Sequence, residues 1–192
     1  MHRLIVEEIP WVYACCDRLI RAEDIASASR FQNERRRTEH LAWRRIVRRE
    51  LGERVAISYN DVGAPVVDTP NTYISVAHGA GCAVVAISDS RIGVDVESRE
   101  RDFSHVATRY MSEGEIELSS EKDWAAKVWT AKEALYKLYG QRGVELKEGF
   151  RITSYDVTEQ RLTATLANGE QALVDIATYE RGVIVATAYF NN

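Results

Sequence analysis

The pattern of apolar and polar positions predicts short strands separated by a few helices. Leu4–Ile9 has the pattern of a short strand. The stretch 22–51 has the pattern of two helices or of one broken helix, and Gly52 follows where a left-handed C-cap is expected. Three apolar, partly β-branched runs come next, at Thr72–Val76, Cys82–Ile87 and Ile92–Val96. Glycines and polar residues separate these runs, so we predict neighbouring strands of one sheet.

The second half of the chain begins with helical patterns. Short helical pieces are predicted over residues 103–118. A longer helix is predicted over Lys122–Tyr139, and Gly140 follows it at the usual place for a glycine C-cap. Ser120 and Asp123 have the spacing of a capping box at its start. The boundaries of this helix are the best marked in the chain.

Four runs of alternating apolar and polar residues predict an antiparallel meander near the C-terminus. They are Arg151–Val157, Leu162–Leu166, Ala172–Ala177 and Val183–Phe190. Asn168-Gly169, between the second and third runs, is typical of a type I′ hairpin turn. Each half of the chain then combines helices with a sheet, which predicts an α+β fold. We expect two lobes, residues 1–98 and 99–192, without a flexible linker between them.

Composition excludes some function classes but identifies none. With 45% hydrophobic residues among 192, the chain can bury one good-sized core or two smaller ones. A formal net charge of -4 disfavours wholesale binding to nucleic acid or to an anionic membrane. Cys15, Cys16 and Cys82 offer neither a disulfide framework nor a C-x-x-C metal spacing, and no apolar run approaches the ~18 residues that span a bilayer. We therefore expect a cytoplasmic protein with reduced thiols.

Two acidic residues stand near the end of the third apolar run. In Ile92-Gly93-Val94-Asp95-Val96-Glu97 the carboxylates of Asp95 and Glu97 are two residues apart, so a strand turns both toward the same side. That spacing suits the chelation of one cation. A polar strand end exposed to water explains the same hexapeptide, and for the hexapeptide alone this is the commoner case.

The long predicted helix carries polar residues at helical spacing. Trp129, Glu133 and Lys137 lie four residues apart and so share one helix face. An ion pair between Glu133 and Lys137 that only supports an exposed helix explains this pattern as well. Neither motif is specific by itself.

Together, however, the two motifs resemble the two-part signature of the phosphopantetheinyl transferases. The second part is Trp129-Thr130-Ala131-Lys132-Glu133-Ala134-Leu135-Tyr136-Lys137. Further similarity lies in Arg35-Arg36-Arg37, Leu41-Ala42-Trp43-Arg44, Arg48, Gly63-Ala64-Pro65, Ser75-Val76-Ala77-His78, Arg109-Tyr110-Met111-Ser112 and Glu115. The length is similar to that of the Sfp-type members, which fuse two related lobes. The resemblance implies a pseudo-dimer with the active site in the cleft between the lobes, and a monomer in solution.

The resemblance also implies a reaction and its residues. Members transfer the 4'-phosphopantetheine of coenzyme A to a serine of an acyl or peptidyl carrier protein, converting apo to holo protein and releasing 3',5'-ADP. By resemblance, Asp95, Glu97 and Glu133 bind Mg²⁺, whose preference for carboxylate oxygens agrees. Glu133 is expected to act as the base, directly or through a bound water. Lys137 is expected to offset negative charge or to assist the leaving group.

Contacts to coenzyme A are expected from four basic residues. Eight arginines lie between residues 30 and 49, a run that is usually a solvated helix face. Arg37, Arg44 and Arg48 nevertheless fall near one stripe of the predicted helix, which suits a phosphate grip, with Arg37 and Arg44 as the first candidates. His78 is ordinarily interpreted as a packed or capping side chain, but the resemblance implies contacts to coenzyme A from His78 and Lys132.

Three positions depart from the family pattern and keep other hypotheses open. Ala64 replaces a basic residue, Ala77 replaces a hydroxyl residue, and Trp43 replaces a small one. The alternatives are a degenerate relative that binds carrier protein or coenzyme A without transfer, a Mg²⁺-dependent phosphoester hydrolase and a nucleic-acid binder. Carrier docking is expected on the second lobe, including residues 103–118, and which carrier is served stays open.

Overall fold

The structure, a computed structural model, describes residues 1–9 and 17–191. The chain divides into two compact units, Met1–Ser90 and Arg91–Asn192. Both units combine helices with antiparallel strands, which confirms the α+β prediction. Cys82 is a buried free thiol, and Cys15 and Cys16 lie outside the described residues.

The first unit combines two helices with a three-stranded sheet and a two-stranded ribbon. Its elements are β1 (His2–Glu8), α1 (Ala22–Ala28), α2 (Glu34–Leu51), β2 (Ile57–Tyr59), β3 (Pro65–Val67), β4 (Tyr73–Gly79) and β5 (Cys82–Ser88). The sheet has the order β1-β5-β4, and β2 pairs with β3. Every residue of the central strand β5 is buried, as expected for a strand that is covered on both faces.

Helix α2 packs its apolar stripe on this sheet. Trp43, Ile46 and Val47 join Ile74 and Val85 in one core cluster. The Asn33 side chain caps the helix by accepting a hydrogen bond from the Arg36 nitrogen. Gly52 ends it with φ 114° and ψ 144°, so the predicted left-handed helical cap is wrong although φ is positive.

A buried histidine lies on the same helix. His40 is 6% exposed, and its ring packs between Phe31 and Trp43 at centroid distances of 5.3 and 5.7 Å. Its Nε2 has no hydrogen-bond partner within residues 1–9 and 17–191. Burial, reinforced by the charge of Arg44, lowers the pKa of His40 from 6.5 to about 4.

Acid is therefore expected to destabilise this unit through His40. Because the pKa of His40 is lower in the folded state, its contribution is complete above pH 6.5 and is lost as pH falls toward 4. Between pH 7.5 and 5 the free energy of unfolding should fall by about 2 kcal/mol on account of this residue. In urea unfolding, the free energy of unfolding of His40→Phe should change with pH by about 2 kcal/mol less than that of the parent. The exposed His105→Gln should show the same change as the parent. If His40→Phe also shows the same change, His40 is not the source of the pH dependence.

The second unit is a five-stranded antiparallel sheet with a long helix across one face. Its elements are β6 (Ile92–Ser98), a 3₁₀ turn (Ser104–Val106), α3 (Ala107–Tyr110), α4 (Glu113–Glu117), α5 (Trp124–Tyr139), α6 (Leu146–Gly149), β7 (Phe150–Asp156), β8 (Arg161–Leu166), β9 (Gln171–Tyr179), a second 3₁₀ turn (Glu180–Gly182) and β10 (Val183–Phe190). The strand order is β6-β10-β9-β8-β7. This confirms the predicted meander, the short helices and the long helix.

Strand β6 corrects the predicted sheet. It pairs with β10, with Asp95 opposite Ala186, and not with β5. The three apolar runs before residue 98 therefore do not form one sheet, and the second unit begins at Arg91 instead of residue 99. Apolar alternation shows that a segment is a strand, but it does not determine which strand lies beside it.

Two predicted turn and cap geometries are also corrected. The Asp123 side chain makes no capping bond at the start of α5, because its Oδ2 pairs with Arg99 Nε at 2.7 Å. A type I′ turn needs a positive φ at both central residues. Gly169 has φ 86° but Asn168 does not have a positive φ, so the predicted type I′ turn does not form. Gly140 does end α5 in the left-handed conformation, with φ 65° and ψ 31°, as predicted. Within the described ranges, no helix is both long and apolar enough to cross a bilayer.

Candidate active site

The site is built where β6 lies against α5. A Cβ at Gly93 would overlap the carbonyl oxygen of Ala134 and lie 2.7 Å from the Leu138 nitrogen. Only glycine permits this approach of strand and helix. Because side chains alternate along a strand, Asp95 and Glu97 face α5 together with Gly93.

Lys137 of α5 reaches this strand directly. Its Nζ donates to Asp95 Oδ1 and to the Val94 carbonyl oxygen, both at 2.8 Å. The Asp95 side chain is 15% exposed and that of Lys137 is 30% exposed. The structure thus brings together two of the residues that the sequence predicted to act together.

Glu97 has a different basic partner. Arg101 NH1 donates to Glu97 Oε1 at 2.6 Å, and the Arg101 guanidinium lies 4.8 Å from the centre of the Phe103 ring. Arg101 was not predicted as a site residue. The sequence carried no signal for this pair, because Glu97 lies near the end of a strand and Arg101 follows in a turn.

Glu133 lies in the field of both strand carboxylates. Burial raises the pKa of the Glu133 carboxyl, and the negative charges of Asp95 and Glu97 raise that pKa further while Lys137 opposes them. The three carboxylates predicted to bind metal are therefore close enough to interact electrostatically.

These carboxylates fit a hard cation by chemistry. Oxygen ligands are those that Mg²⁺ prefers, and a cation relieves the repulsion that raises the pKa of Glu133. Throughout the part of the chain that the structure describes, no three His, Cys, Asp or Glu side chains are already clustered for a metal ion. Asp95 and Glu97 would have to turn from Lys137 and Arg101 toward the ion.

Lys132 has a structural position. Its side chain is completely buried, and its Nζ pairs with Glu115 Oε1 at 2.8 Å. Glu115 Oε1 also accepts from the Ile152 nitrogen, at 2.8 Å. A buried ammonium that is already paired has a structural role, and the contact of Lys132 with coenzyme A stays a prediction. The sequence carried no signal for its pairing with Glu115.

Arg44 in the first unit is likewise inside the protein. It is 3% exposed, and it donates to Asp24 Oδ1 at 2.9 Å and to the Tyr59 hydroxyl at 3.1 Å. Arg48 pairs with the same aspartate. Two buried cations on one buried carboxylate hold α1 against α2, so Arg44 also has a structural role, and its phosphate grip stays a prediction.

His78 and Arg37 keep side chains that reach solvent. His78 Nδ1 lies 3.1 Å from Glu39 Oε2, and the His78 side chain is 37% exposed. Arg37 is exposed, and its Nε donates to the Phe31 carbonyl oxygen at 2.6 Å. Both remain candidates for contact with an anionic ligand.

A comparison with protein families matches the second unit. A model of the 4'-phosphopantetheinyl transferase superfamily matches residues 91–188. No curated protein matches this chain. The matched region runs from the start of β6 into β10 and includes Asp95, Glu97, Glu133 and Lys137. The chain therefore belongs to the 4'-phosphopantetheinyl transferase superfamily.

Proposed function

We propose that this protein is an Sfp-type transferase that moves 4'-phosphopantetheine from coenzyme A to a serine of an acyl or peptidyl carrier protein. Family membership supports phosphopantetheine transfer in general. The observation that carries the finer proposal is the close approach of β6 and α5 at Gly93, which sets Asp95 beside Lys137. We further propose a cytoplasmic monomer whose second unit, including residues 103–118, receives the carrier.

Asp95, Glu97 and Glu133 are the residues that would hold Mg²⁺. When bound, the ion would neutralise negative charge on the diphosphate of coenzyme A. The two strand carboxylates face the helix from which Glu133 projects, and all three offer the oxygen atoms that this ion prefers.

Glu133 is the proposed base. Burial raises the pKa of the Glu133 carboxyl and so makes it a stronger base than an exposed carboxylate, which suits removal of the proton from a serine hydroxyl. The serine oxygen then forms a bond to the phosphorus next to pantetheine, and the bond from that phosphorus to the bridging oxygen breaks. The serine proton goes to Glu133, and 3',5'-ADP leaves with the bridging oxygen.

Lys137 is the proposed electrostatic partner of this transfer. Its ammonium lies 2.8 Å from Asp95 Oδ1, at one of the carboxylate groups that would hold the metal. From there it can stabilise negative charge that grows on the leaving phosphate. In the first unit, Arg37 and His78 are the proposed contacts to the phosphates of coenzyme A, because their side chains reach solvent.

Intact-mass measurement of an apo carrier protein tests the proposal. With this protein, coenzyme A and Mg²⁺, we expect the carrier to gain one phosphopantetheine and a chelator to prevent the gain. Glu133→Gln should slow the gain about 10²- to 10⁴-fold, because it removes the base and a metal ligand. Glu159→Gln, an exposed carboxylate in the turn after β7, should leave the rate unchanged.

Two results would contradict the proposal. If Glu133→Gln modifies the carrier at the parent rate, Glu133 is not the base. No gain across several carrier types, with coenzyme A still bound, would favour a relative that binds without transfer.

A further inference from the structure

Both proposed metal carboxylates of β6 are held by cations of the chain itself. Lys137 Nζ lies 2.8 Å from Asp95 Oδ1, and Arg101 NH1 lies 2.6 Å from Glu97 Oε1. The Glu97 side chain is 16% exposed, so its ion pair with Arg101 is partly shielded from water. Each of these two carboxylates therefore has a cationic partner within the chain.

The backbone after β6 places Arg101 over Glu97. The Arg101 nitrogen donates to the Ser98 carbonyl oxygen at 3.1 Å, which closes a turn at the end of the strand. The guanidinium also lies over the ring of Phe103, a residue that is 3% exposed and therefore fixed in the core. Turn, ring and carboxylate together favour this position of Arg101.

We propose that Arg101 withholds Glu97 from the metal in the free protein, and pairs with the diphosphate of coenzyme A once Mg²⁺ and that diphosphate bind together. This inference rests on the proposed function. It gives Arg101 two roles, as a positioning residue for Glu97 and as a ligand for the substrate diphosphate.

Charge balance explains why metal and diphosphate would bind together. The proposed site has one net negative charge. It combines three carboxylates, from Asp95, Glu97 and Glu133, with two cations, from Lys137 and Arg101. Mg²⁺ alone would make this net charge positive. It would also leave Lys137 and Arg101 without their carboxylate partners and close to the bound Mg²⁺. A diphosphate supplies negative oxygens to both released side chains, so each broken ion pair is replaced by another.

Thermodynamic linkage then predicts cooperativity. If the diphosphate stabilises the state in which Arg101 has left Glu97, coenzyme A raises the affinity for Mg²⁺ and Mg²⁺ raises the affinity for coenzyme A by the same factor. The Arg101 side chain is 57% exposed, and pairs of this kind contribute modestly. We therefore expect Arg101 to change the affinity for Mg²⁺ by about two- to fivefold.

Isothermal titration of MgCl₂ into the full-length protein, alone and saturated with coenzyme A, tests this inference. Arg101→Gln should bind Mg²⁺ alone about two- to fivefold more tightly than the parent, because Glu97 is released. It should also show a smaller gain in affinity on adding coenzyme A. Arg99→Gln is the matched control, because Arg99 is similarly exposed, at 53%, but pairs with Asp123.

The outcomes separate this inference from the proposed function. If Arg101→Gln binds Mg²⁺ as the parent does, or more weakly, in the absence of coenzyme A, the role of Arg101 is refuted while carrier modification by the parent still stands. A parent that binds no Mg²⁺ even with coenzyme A, and leaves every carrier unmodified, refutes the proposed function and this inference together. An equal change in Arg99→Gln would also refute it, since a general charge effect would then suffice.

Discussion

Replacing Gly93 by alanine is expected to reduce the rate of carrier modification by about a hundredfold. The new Cβ would overlap the Ala134 carbonyl oxygen and approach the Leu138 nitrogen, and both are backbone atoms that no side-chain rotation can move. Strand β6 would have to move away from α5, taking Asp95 and Glu97 with it. A displacement of about 1 Å between reacting groups costs about 10²-fold in rate. Initial rates by intact-mass measurement check this result.

The control for Gly93→Ala is a change of similar size on the same sheet. Thr163 on β8 is half-buried and alternates with Leu162 and Ala164, which belong to the core under α5, so its side chain lies on the opposite face. Thr163→Ala should therefore retain the parent rate. If Gly93→Ala retains it too, at a temperature where circular dichroism shows both variants folded, the close approach of β6 and α5 is not what positions the carboxylates.

The sequence predicted the local elements of this site better than their surroundings. Helix α5 and its Gly140 cap are confirmed, because an amphipathic pattern and a terminal glycine depend on neighbouring residues only. The sheet of β6 was predicted wrongly: it was expected beside the two preceding apolar runs, but it pairs with β10, about 90 residues further along the chain. No local pattern in the sequence records a strand partner at that distance.

The sequence pattern also did not predict which long charged side chains are buried. Lys132 and Arg44 have helical spacings that suit a ligand site, yet each is buried against a carboxylate distant in the chain. Their partners are Glu115 and Asp24, which become neighbours only when the chain folds, Glu115 through its contacts with α5 and Asp24 through packing of α1 on α2. Composition gives the number of charged side chains and periodicity gives the helix face on which they lie. Neither shows which of them form ion pairs in the protein interior.

Replacing Lys132 by methionine is expected to lower the free energy of unfolding by about 3 to 5 kcal/mol. The ammonium is fully buried, and burial lowers its pKa while the pairing with Glu115 opposes that shift. Removing it leaves the Glu115 carboxylate buried with only its hydrogen bonds, including those from the Ser112 and Ile152 nitrogens. Combining Lys132→Met with Glu115→Gln should cost less than the sum of the two single changes, because the double variant leaves no unpaired charge. Urea unfolding curves of all three variants measure this coupling.

The same variants decide between a structural Lys132 and one that binds coenzyme A. The exposed Lys122→Met, two residues before α5, should change stability by no more than about 0.5 kcal/mol. If Lys132 is structural, Lys132→Met should lose stability while KM for coenzyme A, measured well below the unfolding transition, stays near that of the parent. A variant as stable as the parent but with a raised KM would show instead that Lys132 leaves Glu115 to meet the substrate, and the structural assignment would be wrong.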